Sequence, residues 1–209
     1  MAGLRGGPAP STPLGNEVWL HHEQRRAEEQ RHAVALQVIK RAIICLENTA
    51  ACWENQELFA NGADGDDVEG IRSWLSLPNT NEFTQSTPRR LDPPCLMRIV
   101  VETLGSLSDT LTGRKNFEAF VAAVKINDEK SRFYVIKLLI EKHQQAKSVH
   151  KKHVSIIKHL ANLLAKLQEL APRTGHSQEY LSRIFGPLLF RAPHGKSTPE
   201  DDVHAAKLL

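Results

Sequence analysis

Ser177-Gln178-Glu179-Tyr180-Leu181-Ser182-Arg183-Ile184-Phe185-Gly186-Pro187-Leu188-Leu189-Phe190-Arg191 is the stretch on which the fold turns. Ser177 suits an N-cap, since its hydroxyl can accept a backbone N–H of the first helical turn. Tyr180, Leu181, Ile184 and Phe185 then follow at helical spacing. Gly186-Pro187 ordinarily ends or kinks a helix, because proline has no N–H to give and its ring crowds the turn before it. Just upstream, between His150 and Leu170, the residues Val154, Ile156, Ile157, Leu160, Ala161, Leu163, Leu164, Leu167 and Leu170 fall on one stripe of a helix. That helix is expected at the centre of a core.

Working outward, 209 residues that are 41% hydrophobic suffice for one sizeable core. Few aromatics and much leucine favour helices over sheets, so the expected class is all-α. A formal charge of +3 does not argue for a nucleic-acid partner. The distribution is less even: seven lysines and four histidines face the single acid Glu141 between Lys137 and Lys166. Such a strip, with Lys147, Lys151, Lys152 and Lys158 in it, serves as a solvated helix face or as a contact for an acidic partner or anionic membrane lipid. His143, His150, His153 and His159 lie among these lysines and read as solvated histidines beside that face, with no metal or other cofactor expected.

Three cysteines without a CxxC pair do not read as a disulfide or zinc framework. Cys45 and Cys52, seven apart, share a helix face as small apolar groups. The Gly- and Pro-rich start has no apolar core of a signal peptide, and no run approaches the roughly twenty apolar residues of a membrane span. A soluble, cytoplasmic protein is expected.

In chain order, residues 1–16 read as a disordered tail. Residues 17–33 read as a charged helical extension, followed by a domain over 34–192 and a loose tail over 193–209. Val34, Val38, Ile39, Ala42, Ile43, Cys45 and Leu46 form a stripe that should dock on the core. Asn61-Gly62 and Asp64-Gly65 mark turns; a short helix follows from Val68 to Leu75, then a Pro-rich loop to Pro94. Helices are expected over Cys95–Leu107, Phe117–Lys125 and Ser131–Lys142, the last with Phe133, Ile136, Leu139 and Ile140 in line.

Taken together, these segments resemble the RhoGAP domain, the helical GTPase-activating module for Rho-family GTPases. His159-Leu160 is similar to the end of that family's LLxHL pattern, and Phe185 to Arg191 to its FGPxLxR. Phe117 to Asp128 resembles its YxxFxxAxKIxD stretch, and Cys95 to Leu111 its LLKxYLRELPEPL helix. Glu57 to Gly62 stands where the family has a loop reading roughly GIFRxSG. The resemblance implies a single RhoGAP-like bundle and a Rho-family GTPase as partner.

It also implies where the chemistry would sit. A GAP accelerates GTP hydrolysis by inserting an arginine where the transition state gathers negative charge, an effect of roughly three to five decades, or about 4 to 7 kcal/mol. By resemblance the finger position falls on Ala60, flanked by Phe59 and Asn61. No Arg or Lys occurs from Ala51 to Ile71, whereas Glu54, Glu57, Asp64, Asp66, Asp67 and Glu69 do. The family's lysine and arginine of the LLKxYLRELP helix fall on Val101 and Gly105, and its asparagine before FGP on Tyr180. The reading is therefore a pseudo-GAP, a binding module without catalytic residues. Two others stand beside it: an active GAP using a non-standard arginine such as Arg72 or Arg114, and a structural helical domain that binds through its basic face.

Overall fold

The structure, a computed structural model, describes residues 13–49, 53–59, 65–78, 91–145 and 148–192, with side chains over 19–49, 53–59, 65–78, 91–142 and 152–192. These residues form helices and turns, with no strand among them. The chain divides into two compact units, Met1–Val34 and Ala35–Leu209.

Helix α1 spans Pro13–Asn48. Residues 13–16, expected in the tail, are thus helical: a proline at the first helical position gives up only an N–H that would have no partner there. Residues 1–12 and 193–209 lie outside the described residues. Every described side chain from Trp19 to Arg31 is exposed, as the density of charge in that segment requires.

In the second unit, Val38, Ile39, Ala42, Ile43, Cys45 and Leu46 are buried, as the stripe predicts, and Leu36 joins them. Val34 does not; it is exposed. Helix α2 spans Gly65–Ser76 and buries Val68, Ile71, Trp74 and Leu75. Asp66 and Asp67 in its first turn suit the positive end of the helix dipole. Its last carbonyls, which have no intrahelical donor, are served from α1. Gln37 Nε2 donates to Leu77 O at 2.8 Å, and Arg41 Nη1 to Leu75 O at 2.9 Å and to Leu77 O. Most of the expected loop up to Pro94, residues 79–90, lies outside the described residues.

Helix α3, Pro93–Ser106, begins with two prolines and buries Cys95, Leu96, Met97, Ile99, Val100 and Leu104. A turn at Gly113 (φ +78°) and a short 3-10 segment, Arg114–Asn116, lead into α4, Phe117–Val124. Helix α5 spans Glu129–Gln145; before it, the Asp128 carboxylate accepts the Ser131 N–H at 2.7 Å, and hydrogen bonds from the Ser131 hydroxyl first and its N–H second hold the Asp128 pKa below the ordinary value. Ile136, Leu139 and Ile140 pack against the core, but Phe133 is 69% exposed, with Tyr134 and Leu138 also exposed. Expecting Phe133 inward was wrong: the inner stripe of this 17-residue helix is carried by Ile136, Leu139 and Ile140, and Phe133 lies before it.

Helix α6, Ser148–Glu169, buries Val154, Ile156, Leu160, Leu163, Leu164 and Leu167; Ala161, at the edge of the stripe, is exposed. A single turn, α7 (Ala171–Thr174), closes on Gly175, whose φ of +78° is the left-handed conformation that glycine adopts without strain. Helix α8, Gln178–Leu189, starts at Ser177, whose hydroxyl accepts the Tyr180 N–H at 3.2 Å. Gly186-Pro187 does not end it: Pro187 lies inside the helix. Only two helical residues follow, and the residue whose carbonyl Pro187 leaves without a donor, Arg183, is exposed to water. Helices α2 and α8 both pack on α3, α4 packs on α5, and α5 on α6. No described helix is long and apolar enough to cross a membrane.

Candidate functional site

Three of the residues singled out in the sequence come together. Phe59 (from the 53–59 segment), Val101 on α3 and Tyr180 on α8 line one groove of about 390 Å³, with Leu58, Pro94, Met97 and Ile184 forming the rest of its apolar wall. Phe59 meets Tyr180 edge-on at 5.6 Å and the buried Phe185 at 6.1 Å. Thus the phenylalanine before the Gly-Pro pair braces the loop that precedes Ala60.

His176, which sequence reasoning did not single out, completes this aromatic cluster. It is buried, its ring stacks on Tyr180 at 5.9 Å and meets Phe59 at 5.1 Å, and its Nε2 lies 3.1 Å from Asn55 O. It ties the 53–59 segment to the start of α8. The signal available was weak: one histidine between a helix-ending glycine and a capping serine.

The polar side of the groove is Arg98 and Glu102 on α3. Glu102 holds two arginines at once: Arg98 Nε at 2.7 Å from Oε1, and Arg72 Nη2 at 2.5 Å from Oε2. Arg72 also donates to Thr103 Oγ1 at 3.1 Å and lies 3.5 Å from Glu69. The hydrogen bond from Arg98, aided by both positive charges, holds the Glu102 carboxyl below its ordinary pKa against a smaller opposing effect of burial.

Gly105, one turn beyond Val101, is not part of the groove. A Cβ there would sit 3.6 Å from Leu188, and the Gly105 carbonyl accepts both Nη atoms of Arg191 at 3.3 Å. Gly105 is a packing and anchoring position for the end of α8. Ala60 and Asn61 lie outside the described residues.

The sequence model described as RhoGAP domain matches residues 37–194. The chain belongs to the RhoGAP family. The fold of this RhoGAP domain is similar to the BH domain from Graf, the GTPase regulator associated with focal adhesion kinase. That likeness has a TM-score of 0.67 at 19% identity and covers 84% of this chain and 88% of the other. It is similar also to human Rho GTPase activating protein 15, with a TM-score of 0.65 at 18% identity over 82% of this chain and 77% of that one. No curated protein sequence matches it. RhoGAP domains bind and regulate Rho-family GTPases, which makes this chain a GTPase-regulator module.

The basic strip of this RhoGAP domain is less uniform than its sequence. Lys152 and Lys158 are exposed, but six positions apart they point roughly 120° from each other around α6. His153 is buried, and His159 Nδ1 lies 3.2 Å from Glu47 Oε2. His153 is therefore not part of a solvated face, whereas His159 keeps a third of its side chain in solvent beside Glu47. Lys166 lies over the Trp53 ring at 4.9 Å. The side chains of Lys147, Lys151, His143 and His150 lie outside the described residues. Cys45 and Cys95 are buried free thiols, and burial, followed by Asp92, pushes the Cys95 pKa up to about 11; Cys52 lies outside the described residues.

Proposed function

We propose that this RhoGAP domain binds a Rho-family GTPase through the face formed by Phe59, Val101 and Tyr180 without accelerating its hydrolysis. The observation that carries this reading is that Arg98, which lines the groove, and its neighbour Arg72 are held by one carboxylate. Arg98 and Arg72 share Glu102, so neither is a free cation for a transferring phosphate. The remaining wall is apolar, and the 51–71 segment offers acids in place of the arginine on which a GAP depends.

The rival arginines fit less well. Arg72 is committed to Glu102, Glu69 and Thr103. Arg114 has its Nε and Nη1 buried, and a guanidinium packed along that edge does not extend into a partner's nucleotide site. In this reading residues 34–192 form the binding module, 17–33 a charged extension, and the two ends stand outside it.

The test is a paired measurement on several Rho-family GTPases, each loaded with GDP or with a non-hydrolysable GTP analogue. The full chain is expected to be retained on at least one of them, while single-turnover hydrolysis stays within about twofold of the intrinsic rate. Acceleration approaching the roughly three to five decades of an arginine finger would overturn the reading, and so would failure to bind any of them in either state.

A further inference from the structure

Helix α5 carries an apolar patch on the side turned away from the core. Phe133, Tyr134 and Leu138 are 69%, 62% and 43% exposed, while Ile136, Leu139 and Ile140 on the other side pack inward. Among the described residues of the second unit, the only other large apolar side chain so exposed is Tyr180, at the groove. Apolar side chains scattered singly over a surface need no explanation, but a cluster of them marks a place of contact. No α5 residue lines the groove, so this patch is separate from the face proposed for the GTPase.

The charges around the patch say what covers it. Lys130, Phe133, Tyr134, Lys137, Leu138 and Glu141 are all exposed, and at helical spacing they share one arc of roughly 140° around α5. Their order is its own complement: Lys130 stands as far before Phe133 as Glu141 stands after Leu138. When a second copy of α5 is laid antiparallel on the first, with a two-fold axis at the level between Val135 and Ile136, Lys130 of each copy comes level with Glu141 of the other. Between these two ends Phe133, Tyr134 and Leu138 meet the same three residues of the second copy, and Lys137 comes beside its aromatic rings.

The charged ends are available for this. Lys130 has no ion pair among the described residues, and Glu141 Oε1 meets Lys137 Nζ only at 4.0 Å, with both side chains well exposed. An anionic bilayer or an acidic protein would suit the two lysines and repel Glu141 on the same face, whereas a second copy satisfies both signs. We propose that the outer face of α5 is a homodimer interface in which two copies pair antiparallel about a two-fold axis. One helix face per copy falls short of the roughly 800 Å² that each partner gives to a standard interface, so the dimer is expected to be weak, dissociating on the order of 10 to 100 μM.

The full chain is followed by sedimentation velocity over concentrations that bracket this range, with no GTPase present. Reversible dimerisation is expected, weakened roughly tenfold or more by Phe133→Ser with Tyr134→Ser. Lys130→Glu sets acid against acid at both ends, and Glu141→Lys sets cation against cation, so each of these variants alone is expected to stay monomeric. Mixed in equal amounts they are expected to associate again, because the ends of the mixed pair are opposite in charge. Only a register that puts residue 130 of one copy against residue 141 of the other gives this crossed recovery.

The proposal is overturned if the unaltered chain stays monomeric throughout, or if the double serine variant, folded by circular dichroism, dimerises as the unaltered chain does. It is overturned equally if the charge variants dimerise alone or fail to associate on mixing. A monomer that sediments with phosphatidylserine vesicles, and no longer does so in the double serine variant, would overturn it in favour of a membrane surface.

Discussion

Glu102 and Gly105, one turn apart on α3, each hold arginine, and in different ways. At the groove, Arg72 and Arg98 are bridged by the Glu102 carboxylate, with N–O distances of 2.5 and 2.7 Å. One turn on, Arg191 donates to the Gly105 carbonyl with both Nη atoms at 3.3 Å. One carboxylate makes the difference. The groove is electrically closed and left to recognise shape through Phe59, Val101 and Tyr180, whereas Arg191 anchors the end of α8. A count of arginines would rate the two places alike; only the pairing separates them.

The largest way to break this contrast is to remove what both places lean on. Phe185 is fully buried and meets Phe59, while α8, which carries it, also delivers Arg191. Phe185→Ala is expected to cost about 3 to 5 kcal/mol, read by urea denaturation. At partial destabilisation GTPase binding should fall with stability; binding that survives unchanged would mean that α8 does not brace the groove.

A smaller change sharpens the contrast. Phe59→Ala with Tyr180→Ala strips the aromatic wall of the groove, and each truncation is expected to weaken GTPase binding by about 1 to 2 kcal/mol, as rim-to-core interface aromatics do. The urea midpoint should move less than it does in Phe185→Ala. A shift as large as that one would mean that the substitutions act through the fold rather than through the groove.

What could be read beforehand follows from the range of the interactions. The α6 stripe, the Ser177 cap and the helix bearing Phe185 depend on neighbours within a few residues, and the sequence pattern carries them. Phe59, Val101 and Tyr180 were named by resemblance, and they do line one groove. The acid beside His159 was not legible, because Glu47 is 112 residues away and no local pattern on α6 reveals it. Arg72 looked available for the same reason: its carboxylate, Glu102, lies 30 residues on in another helix. Pro187 was misread in the opposite way, since a strong local rule gave way where only two helical residues remain and the donor-less carbonyl faces water.

The mildest test addresses the carboxylate that closes the groove. Glu102 is 42% exposed, so water screens much of its attraction to Arg98 and Arg72, and Glu102→Gln is expected to cost under about 1 kcal/mol near neutral pH. The sign of the pH dependence follows from the depressed folded-state pKa. The contribution is fully present above the ordinary glutamate value and is lost as pH falls through the depressed one, where the unaltered carboxyl also becomes neutral. Urea midpoints of the two proteins should therefore differ slightly at pH 7, converge in acid, and draw together in high salt. A midpoint difference that persists unchanged into acid would mean that Glu102 holds the helices by packing rather than by charge, and the distinction between the arginines at Glu102 and the one at Gly105 would be lost.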